Sequence, residues 1–479
     1  MEIDKFLSEF RSMICAPAGY GKTHTIISSV ILNSSTLPIL VLTHTNAGVA
    51  AIREKAKTNK IDMHRLVVST ICGYAQMLVD YFVKNNFSLP QQNDASLYYK
   101  AIITEACKVS FSAPVQLFLS KSYSHIIVDE FQDCSLEQFK LIETIGKMIP
   151  IHILGDYLQS IYGFNNDTIV DMNGTECEIY RRNIQTLETP WRWINASSKE
   201  LGEELHSIRQ RLENELSIDL SKLIYVKYFP YNEGDKYVNN SPYKRAMSHI
   251  CNYNGKEKIV LITPHDNILG YRNKIIKSYH SLILLEAVDA KDFYTVAHDL
   301  DEMTASTALK TIVKIFRQYA KKTVIDRYIN INGEIKKCRK AEYIQINKKL
   351  SEAVEQMTTQ YNYLNIIKFI ETLERLPDMR IFRCQIIYDA KLALKEAACN
   401  KTLIETAMIK IHNTRRRVGR QIRSKSVGTA LLTKGLEFDH VVILDAHLFT
   451  DKKFFYVALT RGCKSVTIIS EKKILKFKD

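Results

Sequence analysis

The residues with the clearest chemistry stand near the start of the chain, in the segment Ala16-Pro17-Ala18-Gly19-Tyr20-Gly21-Lys22-Thr23. Glycines at 19 and 21 let the backbone approach phosphate and turn its N–H groups inward, while Lys22 can reach the β and γ phosphates of a nucleotide. The Thr23 hydroxyl can ligate Mg²⁺, and a helix that starts at Lys22 adds its dipole to the anion site. The segment predicts a phosphate-binding loop, although Ala16 stands where the pattern has glycine; a chance match on a loop is the alternative.

Two adjacent carboxylates follow an apolar run later in the chain. The run Ile126-Ile127-Val128 predicts a strand that delivers Asp129 and Glu130 at its end. Asp129 would hold Mg²⁺ through its water shell, and Glu130 would polarise an attacking water as general base. Together with the phosphate loop, the pair predicts a site for ATP and Mg²⁺ that hydrolyses ATP. Alone, an acidic loop after a core strand is an equally good interpretation.

Strands alternate with helical patterns over residues 12–165, which is the arrangement that would position these groups. Helical patterns begin near Lys22 and pass through Val49 and Ile52. This rhythm is typical of a doubly wound α/β fold with a parallel sheet, which binds ligands at the carboxyl ends of its strands. The predicted strands are Met13–Ala16, Ile39–Thr43, His125–Val128 and Ile151–Leu154.

A second α/β rhythm begins later and is interrupted once. Helical spacing over about 75–120 and a Lys/Glu-rich helical stretch over about 290–420 predict one helical insertion in each half. The chain therefore predicts two α/β domains, each with a helical insertion. The strands predicted for the second half are Ile259–Thr263, Val427–Leu432, Val441–Leu444 and Val466–Ile469.

The composition is that of an ordinary globular protein with an excess of positive charge. A net charge of +14 favours a polyanionic partner, and nucleic acid is the first candidate, although many basic proteins are merely soluble. The ten cysteines stand singly, which argues against a zinc site or a disulfide scaffold and favours a reducing cytoplasm. Because no apolar run reaches 18 residues and no signal peptide is evident, no membrane partner is expected.

Several segments together resemble superfamily 1 helicases of the UvrD/Rep class. Asp129-Glu130-Phe131-Gln132-Asp133 carries the resemblance, with Gly155-Asp156-Tyr157-Leu158-Gln159-Ser160-Ile161-Tyr162-Gly163-Phe164 after the next strand. The resemblance spans residues 12–470 in order. Further segments similar to the family's motifs are Leu42–Asn46 for Ia, Ser69–Tyr74 for Ib, Pro190–Trp193 for the Asn-Tyr-Arg motif, Thr433–Phe438 for V and Tyr456–Arg461 for VI.

The resemblance implies an α/β architecture of two RecA-like parallel-sheet domains with helical insertions, that of a P-loop NTPase. The first domain, with the ATP site, would comprise 1–75 and 121–225, with 76–120 as its insertion. The second would comprise 226–290 and 421–479, with 291–420 as a reduced insertion.

The same resemblance implies an ATP-dependent translocase or 3′-to-5′ helicase acting on single-stranded DNA or single-strand/duplex junctions. The compact form is similar, in size and domain trimming, to the helicase-like subunit of Gabija anti-phage systems, which partners an ATPase–nuclease subunit. One alternative is a DNA-stimulated ATPase that serves as the sensor or regulatory subunit of a nuclease complex. A P-loop kinase that does not act on nucleic acid is a more remote one.

The family's residue roles transfer to matching positions only. Gln159 would contact the γ-phosphate, Arg192 and Arg461 would be arginine fingers, Glu437 would bind the ribose, and Gly435 would let the backbone approach the γ-phosphate. For the aromatic side chains, core packing is the alternative to stacking on bases. The basic run 415–423 could track a nucleic-acid backbone or be a solvated linker. The predicted nucleic-acid contacts are Thr43, His44, Asn46, Thr70, Tyr162, Phe164 and Trp193.

The sequence departs from the family at four points. No glutamine precedes Ala16, where the family has one that reads adenine, so base selectivity is open. His44 replaces an aromatic residue that usually stacks on a base. The Arg-Xaa-Asn that usually follows the strand at 259–263 is missing, and both insertions are short, which makes ATP hydrolysis a firmer expectation than duplex unwinding.

Overall fold

The computed structural model describes residues 3–83, 95–161, 168–236, 238, 241–251, 256–264, 269–279, 281–285, 291–330, 333–337, 341–418 and 425–477. At a few helical positions, including 412–418, it describes the backbone only. The chain divides into two compact units. The first unit comprises Met1–Asp266 and Thr429–Asp479, and the second comprises Asn267–Gly428.

A six-stranded parallel sheet forms the core of the first unit's N-terminal part. Its strand order is β3-β2-β4-β5-β1-β6. Central strands such as β2 are buried along their whole length, because helices cover both faces of a parallel sheet. The strands are β1 Arg11–Cys15, β2 Ile39–Thr43, β3 Leu66–Thr70, β4 His125–Val128, β5 Ile151–Gly155 and β6 Ile184–Thr186.

Several helices, among them α2, α3 and α4, follow strands of this sheet and begin at its carboxyl edge. Thr45 caps α3 through its side chain, and Ser135 and Gln138 form a reciprocal capping box on α7, which explains where these helices start. The helices are α1 Ile3–Ser8, α2 Lys22–Leu32, α3 Asn46–Thr58, α4 Ile71–Phe82, α5 Ala95–Ser110, α6 Ala113–Ser122, α7 Leu136–Ile145, α8 Glu178–Arg181, α9 Trp191–Asn195 and α10 Lys199–Glu213.

The rest of the first unit contains a second set of parallel strands, in the order β8-β13-β12-β9. A short antiparallel pair, β7 with β14, lies apart from it. The strands are β7 Ile218–Asp219, β8 Val226–Pro230, β9 Ile259–Thr263, β12 Phe438–Leu444, β13 Gly462–Ser470 and β14 Ile474–Leu475, and the helices are α11 Pro242–Cys251, α20 Ala430–Thr433 and α21 Lys452–Leu459.

The second unit is mainly helical around its own apolar core, to which Phe316, Tyr328 and Phe369 contribute fully buried rings. A parallel pair of strands, β10 with β11, belongs mostly to it. The elements are β10 Ile283–Leu284, β11 Lys425–Thr429, α12 Leu269–Ser278, α13 Lys291–Asp301, α14 Ala308–Tyr319, α15 Lys322–Tyr328, α16 Ala341–Thr359, α17 Tyr363–Glu374, α18 Cys384–Asn400 and α19 Ile404–Val418.

These elements confirm the predicted fold class, an α/β P-loop NTPase architecture with two parallel sheets and helical insertions. The four strands predicted over residues 12–165 are present, and α4 to α6 confirm the helical pattern over about 75–120. The division into domains at the stated residues stays a prediction.

One predicted strand was wrong in its extent, and six strands were missed: β3, β6, β7, β8, β10 and β14. The run Val427–Leu432 is not a single strand: β11 ends at Thr429, whose hydroxyl accepts from the N–H of Leu432 and caps the short helix α20. Of the missed strands, β3, β6 and β8 are edge strands, and each pairs with one neighbouring strand. Such strands are half exposed, so they lack the continuous apolar run by which buried strands are recognised.

Among the described residues, no single helix has the length and apolar composition needed to cross a membrane. One pair of helices bent by 93°, Leu97–Ser110 with Ala113–Ser122, meets that criterion by length and composition alone.

Candidate active site

The phosphate loop connects β1 to α2 at the carboxyl edge of the six-stranded sheet. Gly19 and Gly21 have φ angles of 78° and 96°, in the left-handed region that favours glycine. A Cβ atom added at Gly19 would lie 2.7 Å from the Cβ atom of Arg192, so no side chain fits there. Lys22 is buried, and its Nζ donates to the carbonyl of Ala16 at 3.0 Å. The loop therefore has the backbone shape expected of a phosphate-binding turn.

The two carboxylates at the end of β4 differ in their electrostatic surroundings. Asp129 is 7% exposed, and its buried Oδ1 has no hydrogen-bond partner among the described residues. Burial raises the pKa of this carboxyl, and the neighbouring Glu130 raises it further. Burial also acts to raise the pKa of Glu130, but Lys22 and Lys434 outweigh it and hold that pKa below its ordinary value. The geometry thus offers a buried oxygen that can accept a cation beside a carboxylate that stays ionised.

Gln132 joins the carboxyl ends of β4 and β5. Its side chain is 1% exposed, and its Nε2 donates to Oε2 of Glu130 at 2.5 Å. Its Oε1 accepts from the backbone N–H of Asp156 at 3.0 Å. Because both ends of the amide are bonded, Gln132 restrains the rotation of the Glu130 carboxylate.

A buried ion pair connects the segment after β4 with the segment before β12. The Nζ atom of Lys434 lies 2.6 Å from both carboxylate oxygens of Asp133, and also donates to the carbonyl of Gln159 at 2.6 Å. The two charged side chains are 5% and 3% exposed. Burial raises the pKa of Asp133 to about 7, although the Lys434 ammonium acts in the opposite direction. The sequence-based site did not include either residue, since each is charged and only the fold makes them neighbours.

Gln159 and Arg461, which come from distant parts of the chain, are in direct contact. The Nη2 atom of Arg461 donates to Oε1 of Gln159 at 3.2 Å and to the hydroxyl of Thr460 at 2.9 Å. Arg461 is 2% exposed, and its Nε donates to the carbonyl of Val457 at 3.0 Å. Burial, followed by repulsion from Arg192, lowers the pKa of this guanidinium to about 10.

Arg192 lies between the phosphate loop and the residues around Arg461. Its backbone N–H donates to the carbonyl of Gly19 at 3.0 Å. Its Nη1 donates to the carbonyl of Thr460 at 2.6 Å, and its Nη2 to Oε1 of Glu437 at 2.5 Å. The structure therefore brings both predicted arginine fingers to one place and gives Glu437 an arginine partner. Gly435, two residues before Glu437, has a φ of 78° and open space where a side chain would stand.

The residues predicted to contact nucleic acid have varied surroundings. Thr43 is 1% exposed, and the hydroxyl of Thr70 caps α4 by accepting from the N–H of Gly73. His44 is half-buried, with its Nε2 3.3 Å from the Sγ atom of Cys134. Burial, then Lys434, lowers the pKa of His44 to about 4, so the ring is neutral. Asn46 is exposed at the first residue of α3.

Trp193 belongs to the core, and its burial favours the packing alternative over stacking on a base. It is 1% exposed, and its Nε1 donates to the carbonyl of Gly462 at 2.8 Å. A Cβ atom added at Gly202 would lie 3.0 Å from the Trp193 Cβ atom, which shows how tightly helix α10 packs on it. Tyr162, Phe164 and the side chains of the basic run 415–423 lie outside the described residues.

Three further residues lie beside the phosphate loop, although the sequence-based prediction assigned none of them a role at the nucleotide site; Trp191 was a candidate for stacking on bases. Trp191 is 50% exposed, and its Cδ1 lies 3.1 Å from the point where Gly21 would carry a Cβ atom. Arg209 and Tyr456 are buried and bond to Asp156 behind the phosphate loop. A sequence signal for Arg209 did exist, because it falls on the same helical face as the apolar positions of α10.

Two comparisons with known proteins bear on the fold and superfamily of this chain. Residues 3–165 match a family model described as an AAA domain. The RecBCD enzyme subunit RecB of Buchnera aphidicola subsp. Schizaphis graminum is similar to this chain, with 27% identity over 141 residues. That similarity covers 29% of this chain and 10% of the relative's length. Together with the fold, they indicate a P-loop NTPase with an architecture like that of superfamily 1 helicases.

Proposed function

We propose that this chain is an ATP-dependent translocase or 3′-to-5′ helicase that acts on single-stranded DNA. The observation that carries the proposal is the contact between the two halves of the site. Gln159, which follows β5, bonds directly to Arg461, which precedes β13. Asp133, which follows β4, pairs with Lys434, which precedes β12. A nucleotide whose phosphates lie on the loop before Lys22 would thus be sensed by both sheets.

The residues around the phosphate loop fit ATP with Mg²⁺. Backbone N–H groups of the loop around Gly19 and Gly21, whose φ angles are positive, would hold phosphate oxygens, and Lys22 would leave the carbonyl of Ala16 for the β and γ phosphates. The unpartnered Oδ1 of Asp129 suits a cation, and the hydroxyl of Thr23 would supply a further ligand. When bound there, Mg²⁺ would neutralise charge on the phosphates. These assignments retain the predicted nucleotide site, residues 16–23.

The proton and charge chemistry falls to four side chains. Glu130, whose pKa is held low, would orient and deprotonate the attacking water as general base. Arg192 and Arg461 would stabilise charge that develops on the γ-phosphate, and Gln159 would report its presence. For Arg192 this requires exchange of its Glu437 contact for phosphate, which would leave Glu437 available to the ribose. Since chemistry and contact between the sheets use the same side chains, hydrolysis is coupled to their relative movement.

The nucleic-acid contacts are proposed at the carboxyl ends of β2 and β3. These strands pair in parallel with Thr43 opposite Thr70, so the N-termini of α3 and α4 lie side by side. N–H groups at neighbouring helix N-termini would suit consecutive phosphates of a strand, as would the exposed Asn46. The net charge of +14 adds long-range attraction for a polyanion. The preference for DNA and the 3′-to-5′ direction rest on the helicase resemblance.

A nuclease partner is the remaining part of the proposal. The Buchnera relative is named as a subunit of an enzyme, and the further step to a Gabija-type system rests on the resemblance stated from the sequence alone. We therefore propose that the chain works with an ATPase–nuclease subunit in anti-phage defence, in the cytoplasm. In the alternative, the same site serves a sensor subunit whose ATPase responds to DNA while a partner cuts it.

The deciding experiment measures ATP hydrolysis by the purified full chain with and without single-stranded DNA. Strong stimulation is expected, with loss of turnover in Lys22→Ala and in Glu130→Gln. Exposed Lys60→Ala serves as a control that removes a lysine outside the site. Turnover that ignores nucleic acid, or that survives Glu130→Gln, would refute the proposal. A strand-displacement assay on duplexes with 3′ or 5′ tails then tests polarity, and ATPase without unwinding would favour the sensor.

A further inference from the structure

Arg209 is a buried charge that no part of the proposed chemistry uses. It stands on α10 and is 4% exposed. A guanidinium does not lose its proton in a protein, so a buried one must be held by partners that compensate its lost hydration. The partners of Arg209 therefore indicate its role.

Arg209 makes three close contacts, two of which meet at the carboxylate after β5. Its Nη1 lies 2.7 Å from Oδ1 of Asp156 and 2.7 Å from the hydroxyl of Tyr456 on α21. Its Nε pairs with Glu213 one turn along α10 at 2.7 Å. The Tyr456 hydroxyl donates in turn to Oδ2 of Asp156 at 3.2 Å. Asp156, which is 0% exposed, is thereby held from two directions.

The position of Asp156 determines the orientation of the Gln159 amide. Oδ2 of Asp156 accepts from Nε2 of Gln159 at 2.8 Å. A carboxylate can only accept hydrogen bonds, so the amide nitrogen must face it and the amide oxygen must face away. Oε1 therefore points to Nη2 of Arg461, 3.2 Å distant.

We infer that Arg209 and Tyr456 are positioning residues that orient Gln159 toward Arg461 through the Asp156 carboxylate. This inference rests on the proposed function, in which Gln159 and Arg461 read the γ-phosphate. In this role both residues act through Asp156 and not on the nucleotide itself. Because Arg209 follows β6 and Tyr456 stands between β12 and β13, the alignment of Gln159 depends on α10 and α21 keeping their places.

A purely structural ion pair is the competing explanation, and it predicts different kinetics. A structural pair would lower the amount of folded protein and leave the turnover of each folded molecule intact. A positioning pair would lower kcat more than it changes KM for ATP, because Lys22 and the cation site keep their contacts and the phosphate loop loses only the bond between Ala18 and Tyr456. Substitution of a positioning residue would also have no further effect on kcat once Gln159 is replaced, since the effects of residues that act through one another are non-additive.

Tyr456→Phe is the mildest test, because it removes one hydroxyl and keeps the buried ring. We expect kcat in the presence of single-stranded DNA to fall about three- to tenfold, with KM for ATP within about twofold. In a Gln159→Ala background the same substitution should change kcat by less than about 1.5-fold. Tyr180→Phe is the matched control, since Tyr180 is also a buried tyrosine whose hydroxyl donates to a carboxylate, that of Glu143.

Arg209→Lys and Arg209→Gln extend the test to the arginine itself. Lysine keeps the charge beside Asp156 but cannot contact Asp156, Tyr456 and Glu213 together, so partial recovery relative to Arg209→Gln is expected. A multiplicative loss of kcat in the double variant with Gln159→Ala would overturn the inference. Equal losses in Tyr456→Phe and in the Tyr180→Phe control would overturn it as well.

A crystal structure of Tyr456→Phe separates this inference from the proposed function. The inference expects the Gln159 amide to rotate away from Arg461, whether or not the protein hydrolyses ATP. Gln159 still bonded to Asp156 and Arg461 in that structure would refute the positioning role. A wild-type chain without DNA-stimulated turnover would instead refute the proposed function and leave the structural result to decide the role of Tyr456 and Arg209.

Discussion

Replacing Lys434 by methionine is the sharpest test of the buried connection between the two parts of the site. Methionine keeps most of the volume of the lysine stem and removes the charge. In the native structure, the ammonium lies 2.6 Å from both oxygens of Asp133, and both side chains are almost fully buried. The substitution therefore leaves Asp133 without its cation, close to the ionised Glu130 that already raises its pKa.

The expected cost follows from that burial. Removal of one partner from a buried ion pair costs about 3–5 kcal/mol. Without Lys434 the pKa of Asp133 rises further, so this carboxyl takes up a proton and the cost lies at the lower end of that range. The double variant Lys434→Met with Asp133→Asn removes both charges, and such neutral replacements cost about 0–1 kcal/mol. The double variant should therefore be about 2–3 kcal/mol more stable than Lys434→Met, and the coupling energy, which also includes the cost of Asp133→Asn alone, should be larger than that figure.

Chemical denaturation of the wild type, both single variants and the double variant measures this coupling. Because the chain has two compact units, circular dichroism should be fitted for each transition, and the shift is expected only in the one that unfolds the first unit. The surface pair Lys199 and Glu203, more than half exposed, provides a control cycle with a coupling of at most about 1 kcal/mol. If the double variant is no more stable than Lys434→Met, or if the coupling energy is as small as that of the control pair, the buried ion pair is not formed.

Three further outcomes are expected. Arg461→Lys should lower kcat by about 10³-fold while ATP still binds, since a lysine cannot replace the guanidinium fork at the γ-phosphate. Trp191→Ala should raise KM for ATP about three- to tenfold with kcat unchanged, because the half-exposed ring beside Gly21 offers a flat face to a nucleotide. Burial, with His125 and Arg11, lowers the pKa of His152 to about 3. The free energy of unfolding should therefore fall by about 1.4 kcal/mol for each pH unit below about pH 6.5.

The sign of the pH effect follows from which state binds the proton. The folded state holds His152 neutral, so its contribution is complete above the unfolded pKa and is lost as pH falls from about 6.5 toward about 3. Urea titrations at about pH 8 and about pH 5 measure how much the free energy of unfolding falls between the two. This fall should be about 2 kcal/mol smaller in His152→Gln than in the wild type. His24→Gln, at an exposed position, should keep the wild-type difference.

An unchanged KM in Trp191→Ala, or near-normal kcat in Arg461→Lys, would contradict the corresponding roles.

Much of the six-stranded sheet could be predicted because its signals are local. Buried strands such as β2 and β4 are continuous apolar runs, and Gly19 and Gly21 must be glycine for the backbone angles of the loop. Edge strands were missed because half-exposed strands lack such runs. The extent of β11 was misjudged because a threonine cap turns an apolar run into a helix.

The sequence by itself determined the chemistry of the individual parts: a phosphate loop, paired carboxylates at Asp129 and Glu130, and arginines far along the chain. Only the tertiary structure decided which of these meet. It placed Arg461 on Gln159, paired Lys434 with Asp133, and buried Trp193 in the core. The physical reason is that a residue's type sets which bonds it can form, whereas burial and partners depend on contacts between residues hundreds of positions apart.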